Sequence, residues 1–206
     1  MTIKFITFEG PEGSGKSTQV KLLQDFFSTK NLPSIITREP GGTKNAEVIR
    51  DLVVKDRAEE WAKTAELLLY LAARNEHVEK VIKPALRQGK MVICDRFCDS
   101  TTAYQGYGNN MDINQIEQLN IIASSGIKPD LTFVLDIDPK IGIKRSVSRH
   151  NTETRYESMN IEYHIKVREG FLKIAQNNPK THIIIDANQD IKTITQQINK
   201  IIITRL

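Results

Sequence analysis

A chain of 206 residues, 39% hydrophobic and 26% charged, is long enough for one sizeable core and falls in the size range of a single domain. Its formal charge of +4 suits a nucleic-acid binder or a handler of small phosphorylated anions and does not choose between them. The two cysteines, Cys94 and Cys98, have no second pair and no neighbouring histidine, which argues against a disulfide framework and a zinc site. No stretch approaches the roughly 18 apolar residues of a membrane span, and no charged leader precedes an apolar run. The expectation is one domain over residues 1–206, cytoplasmic, with free thiols and no membrane partner.

Along the chain, short β-branched and aromatic runs alternate with longer stretches of helical periodicity. "IKFITF" (3–8) reads as a buried strand, followed by a glycine-rich turn and a helix with Val20, Leu23 and Phe27 on one face. "PSIITR" (33–38) is the next strand. A long helical segment then runs from about Ala58 to Arg87, with Leu67, Leu68 and Leu71 in register and Pro84 expected to end or kink it. "KMVICD" (90–95), "DLTFVLDI" (130–137) and "THIIID" (181–186) complete a set of five strands. Strands alternating with helices predict an α/β fold, a five-stranded parallel sheet with helices on both faces. The polar segment "KRSVSRHNTETRYE" between two helical stretches lacks apolar periodicity and fits a lid at about 145–157. The C-terminal "INKIIITRL" could be core or interface.

The stretch "FEGPEGSGKSTQ" carries the most specific signal. "GPEGSGKS" fits G-x-x-x-x-G-K-[ST] at Gly10, Gly15, Lys16 and Ser17, with a strand before it and a helix after it. Such a loop, Gly10, Pro11, Glu12, Gly13, Ser14 and Gly15 leading into Lys16, Ser17 and Thr18, turns backbone N–H groups onto phosphate oxygens at a helix N-terminus. Lys16 reaches the terminal phosphates and the Ser17 hydroxyl ligates Mg²⁺, so a nucleoside triphosphate is the expected donor. The sequence has neither an N-K-x-D nor a convincing D-x-x-G, which sets a GTPase aside. The strand that would end in paired acids in a helicase or motor ends instead in "VICDRF". Asp95 lies at a strand's carboxyl end, where ligands bind in open α/β sheets, and could hold Mg²⁺ beside Ser17. Arg96 offers a planar fork to a phosphate. An internal Asp95–Arg96 ion pair is the plainer alternative.

Four blocks beyond the glycine loop change that weighting. "REPGGT", "YLAARNEHVEKVIKPAL", "DRFCDSTTAYQG" and "KPDLTFVLDIDP" occur in the order of the thymidylate kinase family, and with the lid segment the resemblance runs from residue 5 to about 170. The resemblance implies a P-loop nucleoside monophosphate kinase fold, Mg²⁺ as cofactor, ATP as phosphoryl donor, dTMP as acceptor and a homodimer packed through helices. Arg38 of "REPGG" resembles the arginine on the acceptor phosphate. Tyr70 stands where a phenylalanine usually stacks on thymine, and its added hydroxyl needs a partner. Arg74, four residues on, resembles the arginine that reaches the base edge. Ser100 and Gln105 look like the pair that hydrogen-bonds the pyrimidine, although Ser100 would otherwise read as a helix cap. Tyr104 resembles the ring packed under a sugar without a 2′-hydroxyl. An acid at Glu12 is expected in this family, reaching toward the acceptor's 3′-hydroxyl, while Glu9 either adds to the electrostatics around Mg²⁺ or pairs with a base.

Some members of the family carry a basic residue within the glycine loop, where this sequence has Gly13 and Ser14. The positive charge on the moving phosphoryl group is then expected from the lid, through Arg145, Arg149 and Arg155, as in the bacterial subtype. The expected catalytic set is Lys16, Arg96, Arg149 and Arg155, with Arg149 first for the transition state and Arg145 on the ATP side. The expected reaction is Mg-ATP:dTMP phosphotransfer to dTDP and ADP, a step toward dTTP. Alternatives are a kinase for another nucleoside monophosphate, a nucleic-acid-dependent ATPase, or a nucleotide-binding module without turnover. The weak basicity and the lack of interleaved aromatic and basic residues argue against nucleic acid as a partner.

Overall fold

The computed structural model describes residues 3–55, 59–148 and 155–206. Its centre is a sheet of five parallel strands in the order β2-β3-β1-β4-β5: β1 (Phe5–Glu9), β2 (Ser34–Arg38), β3 (Met91–Asp95), β4 (Leu131–Asp136) and β5 (His182–Asp186). All five lie within a residue or two of the predicted runs. The register sets Phe8 beside Asp95 and Phe133, Arg38 beside Asp95, and Asp136 beside Asp186. Polar residues therefore collect at the carboxyl edge, while the middles of the central strands are apolar on both faces, as a covered parallel sheet requires.

One face packs Ile6, Phe8, Ile93, Phe133 and Leu135 against Val20, Leu23 and Phe27 of α1 (Lys16–Thr29) and Ile194, Ile198 and Ile202 of α9 (Ile191–Arg205). The C-terminal run is thus core through Ile198 and Ile202, while Ile203 points outward. On the other face Phe5, Val92 and Cys94 meet Val78, Ile82, Ala85 and Phe97. Burying a side chain such as Phe8 or Phe133 completely contributes about 1.5–3 kcal/mol each, so these two layers fix where the strand ends point.

The long helical segment begins at Lys63; Ala58, where it was expected to start, lies outside the described residues. It runs as α3 (Lys63–His77), a π-helical turn (Val78–Ile82) and α4 (Lys83–Arg87). Pro84 sits at the start of α4 in a helix that runs on from the π turn, and that wider turn just before it accommodates the missing N–H and the ring. Leu67 and Leu71 are buried, but Leu68 is 52% exposed and belongs to the outer face. The other helices are α2 (Lys44–Val54), α5 (Cys98–Thr101), α6 (Ile113–Ala123), α7 (Pro139–Val147) and α8 (Ile161–Asn177). Thr43, Asp112, Asp138, Asn160 and Asp190 cap α2, α6, α7, α8 and α9 by accepting first-turn N–H bonds. A second π-helical stretch, Thr102–Gly108, follows α5 and turns Tyr104 and Gln105 inward.

Candidate active site

The glycine loop leaves β1 at the sheet's centre and enters α1 through Gly15, whose φ of 92° a side chain would strain. Gly13 has φ 69°, and a Cβ there would lie 2.0 Å from the carbonyl oxygen of Gly142 in α7. Lys16, 7% exposed, donates from Nζ to the carbonyls of Gly10 (3.0 Å) and Pro11 (2.8 Å) and to Ser14 Oγ (3.3 Å). Burial, helped by the nearby Arg96 charge, pushes its ammonium down to about 8. The Thr18 N–H closes the first turn onto the Gly15 carbonyl. Ser17 donates from Oγ to Asp95 Oδ2 at 2.5 Å. The two side chains expected to hold Mg²⁺ are thus adjacent, at the mouth of the loop. Among the described residues no group of three or more His, Cys, Asp or Glu side chains gathers around a metal position. A hydroxyl and one carboxylate, both hard oxygen ligands, fit Mg²⁺, which is usually held by one or two carboxylates together with substrate phosphates and water.

Arg96 stands next, in the left-handed region at φ 71°, a strained setting for an arginine that turns its side chain back over the loop. Its guanidinium donates to the Gly10 carbonyl (3.1 Å), Ser100 Oγ (3.0 Å), Glu12 Oε1 (2.8 Å) and the Tyr104 hydroxyl (3.1 Å), and lies 5.0 Å from the Tyr104 ring centre. The Asp95–Arg96 ion pair entertained from sequence does not form: Arg96 pairs with Glu12. Burial works to raise the Glu12 carboxyl, and the Arg96 and Lys16 charges overcome it, holding it at about 2. Glu9 is fully buried and accepts from the Phe97 N–H (2.7 Å) and Ser100 Oγ (2.6 Å). Burial and the Asp99 carboxylate raise Glu9 to about 7. Ser100 is not a cap: it lies within α5 and ties Glu9 to Arg96.

At the far end, Arg38 is more than half exposed on the rim and pairs with Glu47 at 2.9 Å. The Tyr70 hydroxyl, which the sequence left in need of a partner, meets the Tyr156 hydroxyl at 2.8 Å. Arg74 reaches the cavity but is only 3% exposed. It donates to Glu39 Oε2 (2.7 Å), Asn120 Oδ1 (2.5 Å), the Phe97 carbonyl (2.9 Å) and Thr101 Oγ1 (2.9 Å). These contacts use all but one of its guanidinium hydrogens. Gln105 Nε2 donates to Glu66 Oε1 at 3.0 Å and to the Tyr156 hydroxyl at 3.1 Å.

The described arginines expected from the lid separate. Arg145 donates to the Ala187 carbonyl at 2.9 Å, in the turn that follows β5. Arg155 pairs with Glu66 and donates to the Val53 carbonyl at 2.9 Å, so its guanidinium sits toward the acceptor side. Arg149 lies outside the described residues.

Glu39, Arg50, Glu66 and Tyr156 belong to this constellation and were not singled out from sequence. Arg50 lines the cavity and donates to the Pro40 carbonyl at 2.6 Å. A signal existed for Glu66: it precedes Tyr70 and Arg74 by successive steps of four and so shares their helix face.

One cavity of about 430 Å³ runs from Gly13, Lys16 and Ser17 past Arg96 to Tyr70, Arg74 and Gln105. The family model described as thymidylate kinase matches residues 8–198. The chain belongs to the thymidylate kinase family. Thymidylate kinase of Trichodesmium erythraeum is 48% identical to it, covering 98% of this chain and 96% of the relative. That of Geotalea daltonii is 44% identical over 98% of this chain and 97% of the relative. The crystal structure of thymidylate kinase from Ehrlichia chaffeensis superposes with a TM-score of 0.79 at 39% identity, covering 98% of each chain. As the family's fold demands, the glycine loop and the candidate acceptor wall stand at the carboxyl edge of one parallel sheet.

Proposed function

We propose that the chain transfers the γ-phosphoryl group of ATP to dTMP, giving ADP and dTDP. The observation that carries this reading is the single cavity, with a phosphate-cradling loop at one end, a Tyr70 and Gln105 wall at the other and Arg96 between them.

In this reading the loop's N–H groups and Lys16 bind the donor phosphates. Ser17 and Asp95 would hold Mg²⁺, which when bound would supply charge neutralisation to the donor phosphates. Arg38 and Arg96 hold the acceptor phosphate, whose oxygen is itself the nucleophile and needs no strong base. Glu12 takes the acceptor's 3′-hydroxyl, and its low pKa keeps it a hydrogen-bond acceptor across the neutral range. Tyr70 stacks on the base, Arg74 and Gln105 meet its edge, and Tyr104 closes the space under the sugar. Arg149 supplies transition-state charge, with Arg145 on the ATP side. The site of Arg155, against Glu66, favours a part in holding the lid to the acceptor wall.

Val48, Leu68, Ile121 and Ile122 are exposed on α2, α3 and α6, and this apolar face supports a homodimer packed through helices. No helix among the described residues is long and apolar enough to cross a membrane. Cys94 and Cys98 are free thiols, which supports work in a reducing cytoplasm.

The test is ADP release from Mg-ATP with dTMP, dUMP, dGMP, AMP or single-stranded DNA added separately. Release that depends on dTMP and vanishes in Lys16→Ala is expected. Release driven by DNA, or indifferent to every monophosphate, would overturn the acceptor assignments.

A further inference from the structure

Behind the cavity wall, Glu66 lies in the first turn of α3, only 2% exposed, and does not itself line the cavity. Its carboxylate gathers three donors from distant parts of the chain. Oε1 accepts from Gln105 Nε2 (3.0 Å) and from the Tyr156 hydroxyl (3.0 Å), and Oε2 pairs with Arg155. Gln105 Nε2 also reaches the Tyr156 hydroxyl, which meets that of Tyr70. We propose that Glu66 is a positioning residue that sets base selectivity, by holding the Gln105 amide so that its carbonyl oxygen faces the acceptor.

A carboxylate facing a guanidinium has only acceptor sites, so the Gln105 amide must turn its NH₂ toward it. This orientation follows from chemistry rather than from the assignment of nitrogen and oxygen in coordinates. Gln105 Oε1 carries no hydrogen bond among the described residues, and Gln105 lines the cavity. A carbonyl presented to a pyrimidine edge accepts from the N3–H of a keto pyrimidine such as thymine or uracil. It opposes the N3 lone pair of cytosine. A buried polar group left facing its like costs free energy that the right base does not incur. Glu66 thereby fixes which hydrogen-bonding pattern the wall reads, without touching the substrate. Replacing it with a residue that both donates and accepts frees the amide to flip.

This inference rests on the acceptor reading above, and the experiment keeps the two apart. Kinetics with dTMP and dCMP as acceptors are compared for the wild type, Glu66→Gln and Glu66→Asp. In Glu66→Gln the ratio of kcat/KM for dTMP over dCMP is expected to fall at least about tenfold. Glu66→Asp, which remains acceptor-only, is expected to retain most of the ratio. A merely structural role would lower both acceptors together and leave the ratio in place, and an unchanged ratio in active Glu66→Gln overturns the proposal. If Glu66→Gln does not fold, the wild type carries the test by NMR. Nuclear Overhauser contacts from the Gln105 side-chain amide protons to the Tyr156 ring support it, and fast exchange of those protons with bulk water overturns it. Wild-type protein with no dTMP-dependent turnover would instead overturn the acceptor reading itself.

Discussion

Lys16 carries the largest electrostatic consequence at the scale of single residues. Its buried ammonium loses its proton at about pH 8, well below an ordinary lysine, and only the charged form draws donor phosphates. With dTMP saturating, kcat/KM for ATP, which reports the free enzyme, is therefore expected to fall as pH rises through about 8. A flat profile to about pH 10, the ordinary lysine range, would contradict it. Arg149→Ala is expected to lower kcat by on the order of 10³ while the KM for dTMP moves little, the pattern of a contact made in the transition state. An unchanged kcat would take the transition-state role away from Arg149. Glu39 has a structural rather than chemical consequence. It is 5% exposed and bonds both Arg74 and His77 Nδ1 (2.9 Å), so Glu39→Ala leaves a buried guanidinium without its anion. Urea unfolding should show a loss of about 3–5 kcal/mol.

Between elements, the contact that decides most is that of the glycine loop with α7. Gly13 and Gly142 meet backbone to backbone, since a Cβ at Gly142 would lie 2.4 Å from the Glu12 carbonyl oxygen. No side chain fits at position 13 while α7 holds this place. That gives a steric reason why this loop carries no basic side chain at position 13; in the proposed function that charge comes from Arg149 instead. Gly13→Ala combines the clash with a left-handed backbone, and should destabilise the fold by more than about 1 kcal/mol and weaken ATP binding. Thermal unfolding and ATP titration of that variant check both. The π-helical stretch Thr102–Gly108 matters similarly, because its wider turn directs Tyr104 and Gln105 to the cavity.

For the molecule as a whole, the acid limb of stability follows from Glu12 and Glu39. Both titrate lower in the folded state than the ordinary 4.5, so their contribution is complete above that value. It is lost as pH falls from about 4.5 toward about 2, where the unfolded chain binds more protons than the folded one. Unfolding free energy measured across that window should decline steadily, and the decline should shrink in Glu39→Gln.

The strands and their parallel order of polar ends were legible in "IKFITF", "KMVICD" and "DLTFVLDI" because buried β-runs bounded by helical periods have few other readings. The glycine loop into Lys16 and Ser17 was legible because its signal is local, and the place of Asp95 beside Ser17 was legible because it ends a buried β-run. Glu39, Glu66 and Tyr156 were not, since a buried polar residue is defined by its partner, and Glu66 finds Arg155 across 89 positions. The commitment of Arg74 to Glu39 and Asn120, and of Ser100 to Glu9, is likewise a product of packing that no spacing reveals.

The central claim is that one cavity passes a phosphoryl group from ATP to dTMP. The most direct measurement follows label from [γ-³²P]ATP with Mg²⁺ and dTMP through the purified protein. Label recovered in the β-phosphate of dTDP, and absent with Lys16→Ala, is the predicted result. Label released as inorganic phosphate, or left in ATP, would contradict the account.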